Sequence, residues 1–147
     1  MFKKNFKQKG NLFEFEINVS ATKRMTKFYN QDPFLNYKKH QDKHSLNSVG
    51  EKNFLFKQLK DFLGNNSMFI EIGSGTSQVS NYLAYGTNNK IFALDPTIRY
   101  LEMGKNFADK NNIKNIRFIN ADIYDDVLSS NLFDVLLCSR DLHYTVN

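Results

Sequence analysis

The sequence predicts an α/β protein built on a parallel sheet, and three observations predict it. Short apolar runs lead into acids at Glu71, Asp95 and Asp122. Amphipathic helical stretches lie between those runs, and strands alternating with helices at such lengths give right-handed βαβ units. Directly after the first acid come Gly73 and Gly75, which let a backbone turn sharply and pass close to a ligand.

Each element has its own local signature. Leu12 to Val19 alternates, with Phe13, Phe15, Ile17 and Val19 on one side and Glu14, Glu16 and Asn18 on the other. That period of two predicts a half-buried strand, one arm of a hairpin or an edge addition. Residues 20–46 mix polar and aromatic side chains, and Phe28, Tyr29, Phe34 and Tyr37 suit either a lid over a substrate or the packing of a short helix. From Ser48 the pattern turns helical. Ser48 and Glu51 are spaced as a capping box. Leu55, Leu59, Phe62 and Leu63 share one face, and Gly64 closes the helix.

Met68 to Ile72 then reads as a buried strand, and Ser77 to Tyr85 as a helix with Val79, Tyr82 and Leu83 inward and Gly86 at its end. Lys90 to Asp95 is a second apolar strand. A helix carrying Ile98, Leu101, Met103 and Phe107 follows, stopped by Asn111 and Asn112. Ile116 to Asp122 and Phe133 to Cys138 complete the strands.

Composition narrows the class. A chain of 147 residues, 41% hydrophobic and 24% charged, fits one globular domain with a real core. No apolar run approaches the ~20 residues of a membrane helix. The N-terminus is basic but lacks the apolar stretch of a signal peptide. A single cysteine forbids an intrachain disulfide, so a cytoplasmic location is expected. The net charge of +5 is concentrated in residues 1–60, which hold most of the lysines and arginines and a third of the acids. A basic arm can favour an anionic acceptor or a nucleic acid backbone, but these lysines are scattered, and a solvated surface explains them as well.

The glycine loop, Glu71-Ile-Gly73-Ser-Gly75-Thr-Ser77, resembles the cofactor loop of the class I S-adenosylmethionine-dependent methyltransferases, acid-x-Gly-x-Gly-x-Gly. Ser77 departs from the third glycine. Asp95 follows Gly75 by about 20 residues, where nucleotide-binding α/β folds place a ribose-binding carboxylate. A nicotinamide dehydrogenase is the competing reading. Its Gly-x-Gly-x-x-Gly needs glycine at position 78, which is Gln78, and it has no required counterpart of Asp122.

The resemblance implies a Rossmann-like parallel sheet with helices on both faces and strand order 3-2-1-4 for the part present. The arm would span 1–47 and the cofactor domain 48–147. It also implies cofactor contacts from Glu71, Gly73, Ser74, Gly75, Asp95, Pro96, Asp122, Ile123 and Cys138. Glu71 would reach the methionine amine, Asp95 the ribose and Asp122 the adenine amine, with Pro96 and Ile123 packing on the base. Cys138 also reads as a packed core residue at an apolar strand end. A non-catalytic cofactor-binding or interaction module with the same fold is the alternative, motivated by Ser77.

Beyond the fourth strand, Leu142-His143-Tyr144 is similar to the ending seen in small-molecule and lipid methyltransferases, and the Asn/Asp-Pro-Pro-aromatic of nucleic-acid amino-methylating enzymes is absent. A small-molecule or lipid-like acceptor is therefore expected, with His143 as candidate base; a surface histidine is the plainer reading. His40 and His44 could share a helix face, but with no third ligand beside them no metal site is expected. The resembled fold continues past its fourth strand, so Val135 to Cys138 is expected to be an edge, with Phe133, Val135 and Leu137 on one face and Leu136 and Cys138 on the other. Self-association through that edge, or poor stability, follows.

Overall fold

The computed structural model describes residues 1–31, 37 and 42–138. In chain order these form β1 (Lys7–Lys9), β2 (Leu12–Glu14), α1 (Ser20–Gln31), α2 (Lys43–Lys52), α3 (Phe54–Leu63), β3 (Met68–Ile72), α4 (Gln78–Ala84), β4 (Lys90–Asp95), α5 (Ile98–Lys110), β5 (Ile116–Asn120) and β6 (Val135–Cys138).

In place of the expected four strands ordered 3-2-1-4 the sheet is mixed and has six, ordered β1-β2-β5-β4-β3-β6, with two added strands flanking the succession β5-β4-β3-β6. The N-terminal hairpin makes the difference. Gly10, at φ 61, turns β1 antiparallel onto β2. Then β2 docks parallel to β5, with Phe13 opposite Ile119. From β2 through β5, β4 and β3 to β6 every neighbouring pair is parallel.

Helices on both faces were expected, and among the described residues this does not hold. One face packs Phe69, Ile91, Ala93, Ile116 and Phe118 against Leu46, Leu63, Leu83, Leu101 and Phe107 of α2 to α5. The opposite face, with Phe13, Ile70, Phe92, Leu94 and Ile119, is covered without a helix, by Phe2, Val127, Leu128 and Phe133. The Phe2 ring lies 4.8 Å from that of Phe13 and 5.3 Å from that of Phe15. A bridge from Phe2 to Leu128 and a bond from the Lys3 amide to the Val127 carbonyl (2.9 Å) pin this N-terminal strap.

The helix expected from Ser48 to Gly64 is two helices. Asn53 ends α2 and caps α3, its side chain accepting from the Phe56 amide at 3.1 Å. Asparagine competes with the helical backbone in this way, which is why it breaks an otherwise continuous pattern. The capping box belongs to Asp42 and Ser45, not to Ser48 and Glu51: Asp42 accepts from the Ser45 amide (2.8 Å) and Ser45 Oγ accepts from the Asp42 amide (2.8 Å). Restarting at Asn53 turns Phe56, Leu59 and Leu63 inward. Leu55 and Phe62, expected in the core, are 63% and 77% exposed. The expected faces of the last strand also change. Val135 and Leu137 pack with the helices, whereas Phe133 stacks edge-on against Phe92 in the other layer, 5.1 Å between centroids.

Candidate cofactor site

Because β3, β4, β5 and β6 run parallel, their carboxyl ends lie along one rim of the sheet, where open α/β sheets bind ligands. Glu71 is the penultimate residue of β3, Asp95 closes β4, Asp122 follows β5 by two positions, and Cys138 closes β6. The structure brings the three acids and the glycine loop to this one rim.

The loop is built by positive-φ residues and cross-strand bonds. Gly73 and Gly75 adopt φ of 72 and 54, and the amides of Gly73 and Ser74 both donate to the Leu94 carbonyl, at 2.8 and 3.0 Å. Asp95 clasps the loop directly. Its Oδ2 accepts from the Gly75 amide and its Oδ1 from the Thr97 amide, both at 2.8 Å. Pro96 between them removes a competing donor and fixes the chain direction into α5. A Cβ built on Gly75 would meet nothing within 4 Å, so the loop presents open space there.

Glu71 is 3% exposed, and Ser80 Oγ of α4 donates to its Oε2 at 2.6 Å, which ties strand and helix on either side of the loop. Asp122 is 2% exposed and folds an Asx turn, accepting from the Tyr124 amide at 2.9 Å. Ile123 stands beside it at 37% exposure. Cys138 is a half-buried free thiol. Burying a carboxylate is costly without hydrogen-bond donors, and each of these three has them.

Ser77, the departure from the third glycine, does not obstruct the loop. It takes φ 60 as the residue before α4, is fully buried, and its Oγ lies 3.2 Å from Ser74 Oγ. Its Cβ points at Gly104 of α5, where an added Cβ would sit 2.9 Å from it and 2.8 Å from the Thr76 carbonyl. The glycine lost from the loop is matched by one in the facing helix. A glycine inside an otherwise amphipathic helix was the signal for this partner.

Tyr37, read from sequence as lid or packing, is a packing residue with a polar tip. Its ring stacks on Phe107 at 4.4 Å, its hydroxyl donates to the Thr76 carbonyl (2.9 Å), and Asn81 Nδ2 donates to that hydroxyl (2.8 Å). Burial raises its pKa well above the ordinary tyrosine value. Asn81, absent from the sequence reading, also reaches the Gly104 carbonyl at 3.1 Å. Phe28, of the same aromatic arm, is 68% exposed. His40, Phe34 and His143 lie outside the described residues. His44 faces Tyr85, its Nδ1 3.5 Å from the hydroxyl. Among the described residues no group of three His, Cys, Asp or Glu could hold a metal ion, and no helix is long and apolar enough to cross a membrane. A cleft of about 670 Å³, lined by Asn88, Lys90, Asn115 and Arg117, opens at the opposite rim and shares no residue with the acids.

The rim fits a nucleoside-bearing, cationic ligand by the chemistry of its side chains. Ionised carboxylates only accept hydrogen bonds, so what meets them must bring donors: ribose hydroxyls, an aromatic amine, an ammonium group.

Known proteins show the same architecture. The fold is similar to that of a provisionally described S-adenosyl-L-methionine-dependent methyltransferase from Methanococcus maripaludis, at 22% identity and a TM-score of 0.53, over 78% of this chain and 57% of that one. A S-adenosylmethionine-dependent methyltransferase from Aquifex aeolicus gives 19% and 0.55, over 73% and 61%. Coclaurine N-methyltransferase, bound to N-methylheliamine and S-adenosylhomocysteine, gives 11% and 0.53, over 81% and 40%. The chain thus spans little more than half the length of the first two. No curated protein sequence matches it. A family model described as a methyltransferase domain matches residues 63–147, which hold the glycine loop and all three acids. With that match over more than half of its length, the chain belongs to the methyltransferase-domain family, whose methyl donor is S-adenosylmethionine.

Proposed function

We propose that the chain binds S-adenosylmethionine at the carboxyl ends of β3, β4 and β5 and forms the cofactor-binding part of a methyltransferase. The observation that carries this reading is Asp95 holding the Gly75 amide at 2.8 Å, which joins the ribose acid and the glycine loop in one unit. Gly73, Ser74 and Gly75 admit the methionine end, with Glu71 directed to its amine. Asp95 accepts from the ribose hydroxyls and Asp122 from the adenine amine. Pro96 and Ile123 pack on the base, and Cys138 bounds the pocket at the end of β6.

The sulfonium supplies a methyl group already activated for in-line displacement. The chain's task is therefore placement of a nucleophile within ~3–3.5 Å. His143 is the proposed base for an acceptor hydroxyl or amine, and the acceptor is a small or lipid-like molecule. Residues 1–47 act as the arm and 48–147 as the cofactor domain, with β2 built into the same sheet. The proposed setting is the cytoplasm. Two copies associate through β6, whose outer edge pairs with no strand among the described residues and beside which Leu136 is 58% exposed.

Titration calorimetry with S-adenosylmethionine and S-adenosylhomocysteine tests the reading. Loss of a hydrogen bond to a charged group is worth roughly 1.5–3 kcal/mol, so Asp95→Ala is expected to weaken binding at least tenfold. Equal binding by the variant overturns the site.

A further inference from the structure

We propose that the N-terminal strap, through Phe2 and Lys4, positions Asp122 and so sets the selectivity of the site for an adenine base. This rests on the proposed reading of Asp122 as the adenine acid. The loop from Asp122 to Ser129 has no helix beneath it; the strap holds it. Lys3 amide donates to the Val127 carbonyl (2.9 Å), Ser129 amide donates to the Met1 carbonyl (2.8 Å), and Phe2 bridges to Leu128. Phe2 anchors the strap among Phe6, Phe13 and Phe15.

Lys4 carries the connection to the acid. Its Nζ lies 3.2 Å from Asp125 Oδ1, and Asp125 is mostly buried, its side chain 11% exposed. The other oxygen of Asp125 accepts from the Asp122 amide (3.4 Å), while the Asp125 amide donates to the Asp122 carbonyl (3.0 Å). Asp125 therefore grips the backbone of Asp122 from both sides, and Lys4 holds Asp125. Lys3 is the built-in control. It pairs with Asp126 at 2.7 Å, but Asp126 is 74% exposed and bonds to nothing in the Asp122 turn among the described contacts.

The test compares S-adenosylhomocysteine with S-inosylhomocysteine, whose base carries a carbonyl in place of the exocyclic amine. A carboxylate that accepts from the amine rejects the carbonyl, so the unaltered chain is expected to prefer the adenosyl ligand by about tenfold or more. Asp122→Asn abolishes the preference. Phe2→Ala and Asp125→Ala lower it several-fold, and Lys4→Ala lowers it by about twofold to fivefold at low salt, less at high salt. Lys3→Ala leaves it unchanged.

A general loss of stability weakens both ligands alike and leaves the ratio intact, so the ratio isolates positioning. If the unaltered chain shows no preference, or Asp122→Asn keeps it, the adenine reading of Asp122 fails and the proposal with it. If Asp122→Asn loses the preference while Asp125→Ala and Lys4→Ala retain it, the strap proposal alone is overturned. Should Phe2→Ala not fold, those two variants decide.

Discussion

The two faces of the sheet solve the same burial problem by different means. Toward α2 to α5, Phe118, Leu101 and Ala93 are fully buried between two layers of regular structure. On the other side Ile119, Ala121 and Phe92 are buried as deeply, with Phe13 and Phe15 at 7% and 6% exposure, but beneath a strap and a loop. Glu71 and Asp95 alternate in step with Phe69 and Ala93, so these acids of β3 and β4, proposed to meet the cofactor, stand on the helical face. Asp122 alone sits on a loop that the irregular face supports. Regular structure thus backs Glu71 and Asp95, and an irregular strap and loop back Asp122.

The comparison breaks or sharpens under substitution. Phe118→Ala, between sheet and helices, is expected to cost about 3–5 kcal/mol, against about 2 kcal/mol for Phe13→Ala, because a strap can settle into the space and a layer of helices cannot. Equal costs in denaturant unfolding would abolish the distinction. Gly104→Ala forces a methyl against the Thr76 carbonyl and Ser77 and is expected to cost about 1–3 kcal/mol, with weaker S-adenosylhomocysteine binding; adding Ser77→Gly should recover part of both.

Tyr37→Phe removes the bond to the Thr76 carbonyl at a cost of about 0.5–1.5 kcal/mol near neutral pH. Since burial raises the pKa of Tyr37, its contribution is complete below the unfolded value near 10 and declines as pH climbs above it. Wild type and variant should therefore converge in stability above about pH 10, read by unfolding curves at successive pH values. Leu136→Lys should alter stability by no more than about 0.5 kcal/mol. It should also convert any edge-paired dimer to monomer in analytical ultracentrifugation; a dimer that survives it is held elsewhere.

Much of the helical face was legible because periodicity reports burial. Ile91, Ala93, Leu101, Phe107 and Ile116 all lie where their apolar spacing puts them. The rim was legible because acids at strand ends are chemically conspicuous. What escaped was set by partners distant in sequence. Asn53 breaks a helix through a side-chain cap that competes with a continuous apolar pattern, and Leu55 and Phe62 turn outward as a result. The strand at Leu12 was legible from its alternation as a hairpin arm or edge addition, but its partner β5 and the strap over Phe13 depend on pairings across more than a hundred residues, which no local pattern specifies. The Ser77–Gly104 match is of the same kind: each residue stands out locally, but nothing local pairs one with the other.

Those long pairings bear on how the chain is made. Leu12 and Phe13 pair locally with Lys9 and Gln8 of the hairpin, but their partners in the parallel sheet, Phe118 and Ile119, leave the ribosome about a hundred residues later. At roughly 5–20 residues per second the delay is about 5–20 s, far longer than a hairpin needs to form. Through that interval a short, phenylalanine-rich ribbon is held in solution by the lysines around it, Lys3, Lys4, Lys7 and Lys9. The basic charge around this ribbon would then matter during synthesis, as a solubilising sleeve for apolar residues that wait about a hundred positions for the rest of their sheet.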